Sequence, residues 1–583
     1  MLFFFCIWPY LQFSMAMKTK VLLLVMAASL LYPQPGYIHP DEFFQSAEIV
    51  AGSILNVTHY RTWEFNPEKP IRDITLPYLL LMPAFGVLHQ LMPMLDELGV
   101  VKSSLLVTLP RILFACANVI NFILVKKLCL EINYDHKLAL WLFSTSYVTW
   151  VYLTRSFSNT TETFLVSSVC LILVGMHQNL NKCQDSNKGQ KEALKSHTKH
   201  CACLGVLICL GIFNRPTFLV FLLVPLMWFT CNSLKTFCRF HVVWIGLMFA
   251  SGATFLLTFF VLCMVNSAYY NPDFFHTTAD LATQLLSSPV SSLPDIILSF
   301  LHSLKVPPHN FIMYNVNSSN LAQHGVHPRA THFLVNLPLL LGPLAFDLYW
   351  NFTHLLIRRG KGREGWIIFA VIVPVACLSC FTHQEPRFLL PVLPFAVASA
   401  AGSKLVQMKS WQCITLLFNV LAFLFFGFLH QAGLIPALSS LQQELTSESK
   451  TLKHMPSAYH LVFYCTYMPP RYILLANSQT IDLTVHDLGG RPAEELELKV
   501  KQINTFCENS LQHCDIKLFF PGSVEKDVKH LVNWQNMNNF CPHVSTERLP
   551  KVGEYLNGNI SLAEFMSQLC LKVYSWSSRE KES

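Results

Sequence analysis

Residues 240–265 read FHVVWIGLMFASGATFLLTFFVLCMV, 26 positions without an Asp, Glu, Lys or Arg. As an α-helix rising about 1.5 Å per residue, the stretch reaches ~39 Å, beyond the roughly 30 Å of hydrocarbon in a bilayer. A helix of a soluble domain needs one apolar stripe. This one is apolar all round, which places it in lipid.

The rest of the chain repeats the pattern. Apolar runs near residues 19–33, 104–125, 138–154, 161–177, 201–213, 217–232, 333–356, 366–382, 388–404 and 411–430 bring the predicted spans to eleven. Arg215-Pro216 interrupts two of them, 201–213 and 217–232, and predicts a kinked or broken pair. The 583 residues are 52% hydrophobic and 13% charged, against about 25% charged in ordinary soluble domains. The 45 Phe, 18 Tyr and 11 Trp suit lipid-facing spans and interfacial belts. The expected fold class is an all-α polytopic membrane protein.

The formal charge of +7 does not point to nucleic acid, because Lys and Arg stand in short clusters between apolar runs rather than along one polar face. They read as topology signals. With the N-terminus in the cytosol, eleven spans put Lys126-Lys127, the loop 182–199, Lys235 to Arg239, the Arg358 to Arg363 cluster and Lys404 to Lys409 on the cytosolic side. Residues 73–95, broken by Pro77, Pro83 and Pro93, are then expected to lie on the luminal surface or dip in as a hairpin without crossing.

The same scheme makes residues 1–434 the transmembrane region, with a first luminal loop at 34–103, and residues 435–583 a luminal tail. The tail is polar, and strand-like runs at Tyr472 to Leu475 and Lys517 to Phe520 predict a small α+β domain. Cys465, Cys507, Cys514, Cys541 and Cys570 fall in it, where disulfides are expected with the pairing open. Cys116, Cys170, Cys209 and Cys263 lie in apolar runs and read as small apolar side chains. The sequons at Asn56, Asn317 and Asn559 are placed in the lumen, whereas Asn159 and Asn351 sit where glycosylation is not expected.

The unusual polar motifs all fall at predicted luminal ends of spans. Asp41 and Glu42 stand in His39-Pro40-Asp41-Glu42-Phe43-Phe44-Gln45-Ser46, directly beyond the first span. One carboxylate can act as a base while the other holds geometry, with Asp41 the first choice as base. As residues alone, the two acids read equally as a solvated loop. Arg387 and His383, then Arg155 and Arg215, can hold a lipid phosphate. Any one of them alone reads as an interfacial anchor. Four basic groups and one acid pair on a single face point to a site, with His39, Gln45, Glu385, Tyr269 and Tyr270 in support. His324, His327 and His332 have no Cys or carboxylate cluster beside them, so no metal is expected. A transporter would show internal repeats and polar groups linking both faces, and neither is legible here.

Through HPDEFFQS, RSFSNT, NRPT, the Tyr269-Tyr270 pair and HQEPRF, the chain resembles the dolichyl-phosphate-mannose-dependent mannosyltransferases of glycosyltransferase family 22. The match runs over nearly all of the membrane region. It implies a GT-C fold and an inverting transfer without a metal cofactor. The resemblance further implies dolichyl-phosphate-mannose as donor and, as acceptor, a GPI precursor glycolipid that gains a fourth, α1,2-linked mannose on its third mannose. The family's acidic motif falls on Asp41 and Glu42, and its late motif on His383, Glu385, Arg387 and Phe388. Asn266 stands where relatives often carry Asp, which leaves a second carboxylate there open. The resemblance also implies the endoplasmic-reticulum membrane.

Overall fold

The computed structural model describes residues 26, 28–29, 34–97, 102–182, 187–287, 290–323, 325–357, 365–451, 457–477, 481–509, 513–529 and 536–577. Among them, seven helices are long and apolar enough to cross a membrane: Thr75–Leu95, Lys102–Ile132, Ser158–Lys182, Lys188–Asn214, Phe218–Arg239, His241–Tyr270 and Lys409–Leu429. The predicted span 19–33 lies almost wholly outside the described residues, as does the basic cluster 358–363.

His241–Tyr270 buries the least of the seven, and Val242, Phe249, Leu256 and Leu257 stand exposed along it. Such an apolar outer wall is stable against lipid and costly in water. Its other side packs closely on the Thr198–Asn214 helix. A Cβ at Gly205 would sit 2.1 Å from the Ser251 carbonyl oxygen, and Thr254 Oγ1 donates to the Ala202 carbonyl at 2.9 Å. Small residues allow backbones this near one another.

Four other predicted spans fold as interrupted or shorter helices. Residues 138–154 divide at Ser146 into His136–Thr145 and Tyr147–Val151. Residues 333–356 divide at Gly342, whose φ of +57° suits glycine and whose added Cβ would meet the Phe418 ring at 2.3 Å. The runs 366–382 and 388–404 become Gly365–Leu378 and Pro386–Ala400.

One expectation needs correction. Residues 73–95 form no hairpin: Thr75–Glu97 is one helix, continuous through Pro83 and Pro93, and its length suits a crossing. Pro77 lies in the first turn, where a missing N–H is harmless, and each later proline removes one hydrogen bond without ending the helix.

By backbone contacts the chain forms two compact units. Among the described residues, the first holds those of 61–80 and 113–419, and the second those of 26–60, 81–112 and 420–577. Within the second, a five-stranded sheet is built from β1 (Ser457–Tyr464), β2 (Asp482–Gly489), β3 (His513–Pro521), β4 (Asn536–Phe540) and β5 (Leu571–Ser577), in the order β2-β1-β3-β5-β4. β1 pairs in parallel with β2 and β3, and β5 runs antiparallel to β3 and β4. The tail is thus α+β as expected. Lys517 to Phe520 lies in β3, but Tyr472 to Leu475 belongs to a 3₁₀ turn, Arg471–Leu474, and its end rather than to a strand. Disulfides join Cys507 to Cys514 and Cys541 to Cys570, while Cys465 is a buried thiol.

Candidate active site

The acid pair belongs to the second unit. Pro40 sets the backbone for a helix whose first turn carries Asp41 and Glu42, and which runs through a π-turn, Phe43–Ala47, into Glu48–Leu55. Adjacent residues on a helix point about 100° apart, and here that separates the two acids. Glu42 is buried. Its Oε1 accepts from Arg111 Nη2 at 2.7 Å and Nε at 3.2 Å, and Arg111 Nη1 donates to the Gln34 carbonyl at 2.6 Å.

Asp41 has a side chain 22% exposed. Gln45, one turn on, donates its amide to Asp41 Oδ2. His39 Nδ1 lies 3.5 Å from Asp41 Oδ1 and accepts the Asp41 backbone N–H at 3.2 Å. One acid is locked by a guanidinium and the other is held but open.

Seven residues beyond Asp41, the same helix buries Glu48 completely. Its carboxylate accepts backbone N–H bonds from Tyr60 at 3.0 Å, Arg471 at 3.0 Å and Tyr472 at 3.4 Å. Burial pushes this carboxyl up to about 7, against the opposing pull of those N–H groups and the Arg471 charge. The helix bearing the acid pair is thereby tied to the 3₁₀ turn at Arg471–Leu474.

The basic groups belong to the first unit, and two X-Pro steps place them. A residue before proline is driven out of the helical region. Arg215 is extended (φ −159°, ψ 124°) before Pro216, between helices that end at Asn214 and resume at Phe218. Glu385 is extended (φ −126°, ψ 150°) before Pro386, which opens a 3₁₀ turn through Val392. The predicted broken pair is therefore present, and its break bears the guanidinium.

His383, Glu385 and Arg387 act as one unit. Glu385 Oε1 lies 2.7 Å from His383 Nε2 and 3.0 Å from Arg387 Nη2, while Arg387 Nε donates to Glu385 Oε2. Gln384 is the anchor: its amide reaches the Phe381 and Ser379 carbonyls and accepts the His332 N–H. The Phe388 ring collects the cations, with the guanidinium carbons of Arg215 and Arg387 each 5.2 Å from its centre and the His383 ring at 5.6 Å.

A cavity of about 290 Å³ opens here. Arg215, Thr217, His383 and Asn159 are among its polar lining residues, and Phe311, Leu321, Leu378 and Phe388 among its apolar ones. Its lining, mostly apolar with a few polar groups, suits an apolar chain with a charged head. Glu162, on the Ser158–Lys182 helix, lies behind Arg215: its Oε2 is 3.7 Å from Arg215 Nε, and its Oε1 accepts from Thr217 Oγ1 at 2.7 Å.

Other predicted residues take different posts. Arg155 is fully buried and donates to the Val151 carbonyl at 2.8 Å; like Arg387, it is not among the residues that line the cavity, though Arg387 is tied to the lining residue His383 through Glu385. Tyr269 and Tyr270 hold the segment around residues 61–78. The Tyr270 hydroxyl donates to the Arg72 carbonyl, and the Tyr269 ring meets Tyr78 and the Arg61 guanidinium.

Asn266 faces a carboxylate rather than replacing one: its amide donates to Asp73 Oδ1 at 2.7 Å and its oxygen accepts the Ile74 N–H. His327 accepts from the Gln384 N–H and His332 bonds Asn336. His324 lies outside the described residues.

Arg111, Glu48, Glu162 and Asp73 were not singled out from the sequence. Arg111 and Glu162 had a signal, each a lone ionisable group inside an apolar run, which is costly unless paired. Glu48 and Asp73 gave none.

The profile of the Alg9-like mannosyltransferase family matches residues 20–476, and the chain belongs to that family. It is a mannosyltransferase of the polytopic membrane kind. It is 32% identical to human GPI alpha-1,2-mannosyltransferase 4, covering 94% of this chain and 93% of the relative. Against GPI mannosyltransferase 4 of Drosophila melanogaster the identity is 27%, over 89% of this chain and 84% of that one. In Saccharomyces cerevisiae the protein of the same name is 29% identical, over 83% and 81%. Among solved structures, ArnT from Cupriavidus metallidurans bound to undecaprenyl phosphate aligns with a TM-score of 0.47 at 12% identity, covering 96% of this chain and 98% of that chain.

Proposed function

We propose that this mannosyltransferase takes mannose from dolichyl-phosphate-mannose and adds it, through an α1,2 bond and with inversion, to the third mannose of a GPI-anchor precursor. The reaction is placed at the luminal face of the endoplasmic-reticulum membrane. The observation that carries the reading is the division between the two acids. Glu42 is neutralised by Arg111, whereas Asp41 is partly exposed and braced by His39 and Gln45. Relatives bearing the GPI mannosyltransferase 4 name over most of their length support the acceptor.

In this mechanism Asp41 accepts the proton of the acceptor 2-hydroxyl as that oxygen attacks the anomeric carbon, in one in-line displacement. The bond to the phosphate oxygen breaks, and dolichyl phosphate leaves as an anion that needs no acid. Arg215, His383 and Arg387 stabilise the charge gathering on the phosphate, and the apolar cavity walls take the first isoprene units. No metal is assigned to the step. Arg155 is a supporting residue in this scheme.

The test uses microsomes of cells lacking the protein, supplied with labelled donor and a trimannosyl GPI acceptor. Restoring the chain should yield a tetramannosyl product whose label an α1,2-specific mannosidase releases. Label appearing instead on a dimannosyl GPI precursor or on the lipid-linked N-glycan precursor would reassign the acceptor.

A further inference from the structure

The tail sheet brings together a second set of reactive side chains. Side chains alternate along a strand, so residues two apart share a face. The register pairs Ala458 with Cys514 and His460 with Ile516 across β1 and β3, and His460 with Thr484 and Val462 with His486 across β1 and β2. His460, His486 and Cys514 therefore lie on one face. The Ala493–Asn509 helix packs Leu496, Val500, Ile503 and Cys507 into the core on that face. In an otherwise apolar layer, two imidazoles meet two sulfurs.

A ring nitrogen of His460 and the sulfurs of Cys507 and Cys514 all lie within 4.8 Å of one another. His460 Nδ1 is 3.3 Å from His486 Nε2, with the rings stacked at 5.6 Å. His460 Nε2 is buried and has no hydrogen-bond partner among the described residues. Leaving such a group unsatisfied costs about 1–3 kcal/mol. An imidazole beside two sulfurs, with one ring nitrogen held by a neighbour and the other left without a hydrogen bond among the described residues, has the arrangement of a metal-ligating histidine.

We propose that the reduced chain binds a thiophilic divalent cation such as Zn²⁺ through Cys507, Cys514 and His460 Nε2, with His486 fixing the His460 ring, and that this state alternates with the Cys507–Cys514 disulfide. Three protein ligands leave the fourth tetrahedral position to water. The two states exclude each other because both use the same sulfurs. A dithiol reductant converts the disulfide to two thiols and is itself oxidised to a disulfide. The cation then displaces the two thiol protons and accepts the His460 lone pair. In the reverse step a disulfide oxidant takes two electrons from the thiolates and is itself reduced to two thiols, which re-forms the Cys507–Cys514 bond and releases the cation. The site is separate from the transfer chemistry and does not rest on it.

The experiment takes the full chain in detergent, reduced with a dithiol that is then removed without oxygen, and titrates Co²⁺ followed by Zn²⁺. The reduced protein should show sulfur-to-cobalt charge-transfer bands and tetrahedral d–d bands that saturate near one equivalent and vanish as Zn²⁺ displaces Co²⁺. The oxidised protein should show neither. Cys507→Ser with Cys514→Ser should abolish them. His460→Ala keeps every thiol and should weaken binding by at least about tenfold, since loss of even an outer partner costs about 10- to 100-fold. If His460→Ala does not fold, as judged by gel filtration of its oxidised form, His486→Ala carries the same comparison. Bands unchanged in the histidine variant, or surviving in the double cysteine variant, would mean adventitious binding by other thiols only and would overturn the proposal.

Discussion

Glu385 puts His383 and Arg387 on one carboxylate, so the cations of HQEPRF arrive as an oriented unit rather than as separate anchors. That orientation needs the planar fork of an arginine. Arg387→Ala is expected to lower transfer by about 10²- to 10³-fold, the usual cost of a positioned charge-stabilising donor, whereas Lys191→Ala, in an exposed loop helix, leaves it unchanged. Arg387→Lys restores charge but not the double contact to Glu385 and should rescue only part. Equal rates for Arg387→Ala and the parent protein, at matched expression, would reduce Arg387 to an anchor. Arg111 obeys a different rule. Its removal leaves Glu42 charged and buried, and losing one partner of a buried ion pair costs about 3–5 kcal/mol. Arg111→Ala should therefore appear as lost folded protein, measured by thermal melting, before it appears as lost turnover.

At the scale of elements, what the sequence made legible follows from local rules. Residues before proline leave the helix, so the breaks at Arg215-Pro216 and Glu385-Pro386 could be read directly, and both carry site residues. Proline inside an apolar run misled, because Thr75–Glu97 tolerates two of them unbroken. The run Tyr472 to Leu475 looked like a strand by composition, yet Arg471 and Tyr472 turn their N–H groups to Glu48, 423 and 424 residues away in sequence. No local pattern encodes such a partner.

Glu48 also sets a pH dependence. Its folded pKa of about 7 lies above the ordinary glutamate value of about 4.5, so the folded state binds the proton more tightly. The stabilisation is full below about 4.5 and is lost as pH rises through about 7, by roughly 3 kcal/mol. Relative to Glu48→Gln, which mimics the protonated acid, the parent protein should lose melting temperature between pH 4.5 and 7.5. Parallel curves for the two would rule the linkage out.

At the scale of the molecule, apolar runs and the sorting of Lys and Arg carried the membrane assignment and the α+β tail, because hydrophobic length and charge position are properties of sequence alone. The disulfide partners and the partners of the acids were not legible, since they depend on tertiary register. Asn56, Asn317 and Asn559 are exposed, and Asn159 is buried. With Thr75–Glu97 lying along the luminal face rather than crossing, as the sorting of Lys and Arg requires, the topology predicts glycans at the first three and none at Asn159, read by mobility shifts after glycosidase, and none on a sequon inserted near Lys188. A glycan at that insertion would invert the scheme. The central claim is that Asp41 is the base and Glu42 its neutralised neighbour. The most direct measurement is single-turnover transfer of labelled mannose to a trimannosyl GPI acceptor by Asp41→Asn and Glu42→Gln, each normalised to folded protein. The account predicts that Asp41→Asn loses about 10²- to 10⁴-fold in turnover while Glu42→Gln, though less stable, keeps most of its rate per folded molecule. Transfer by Asp41→Asn at the parent rate would contradict it.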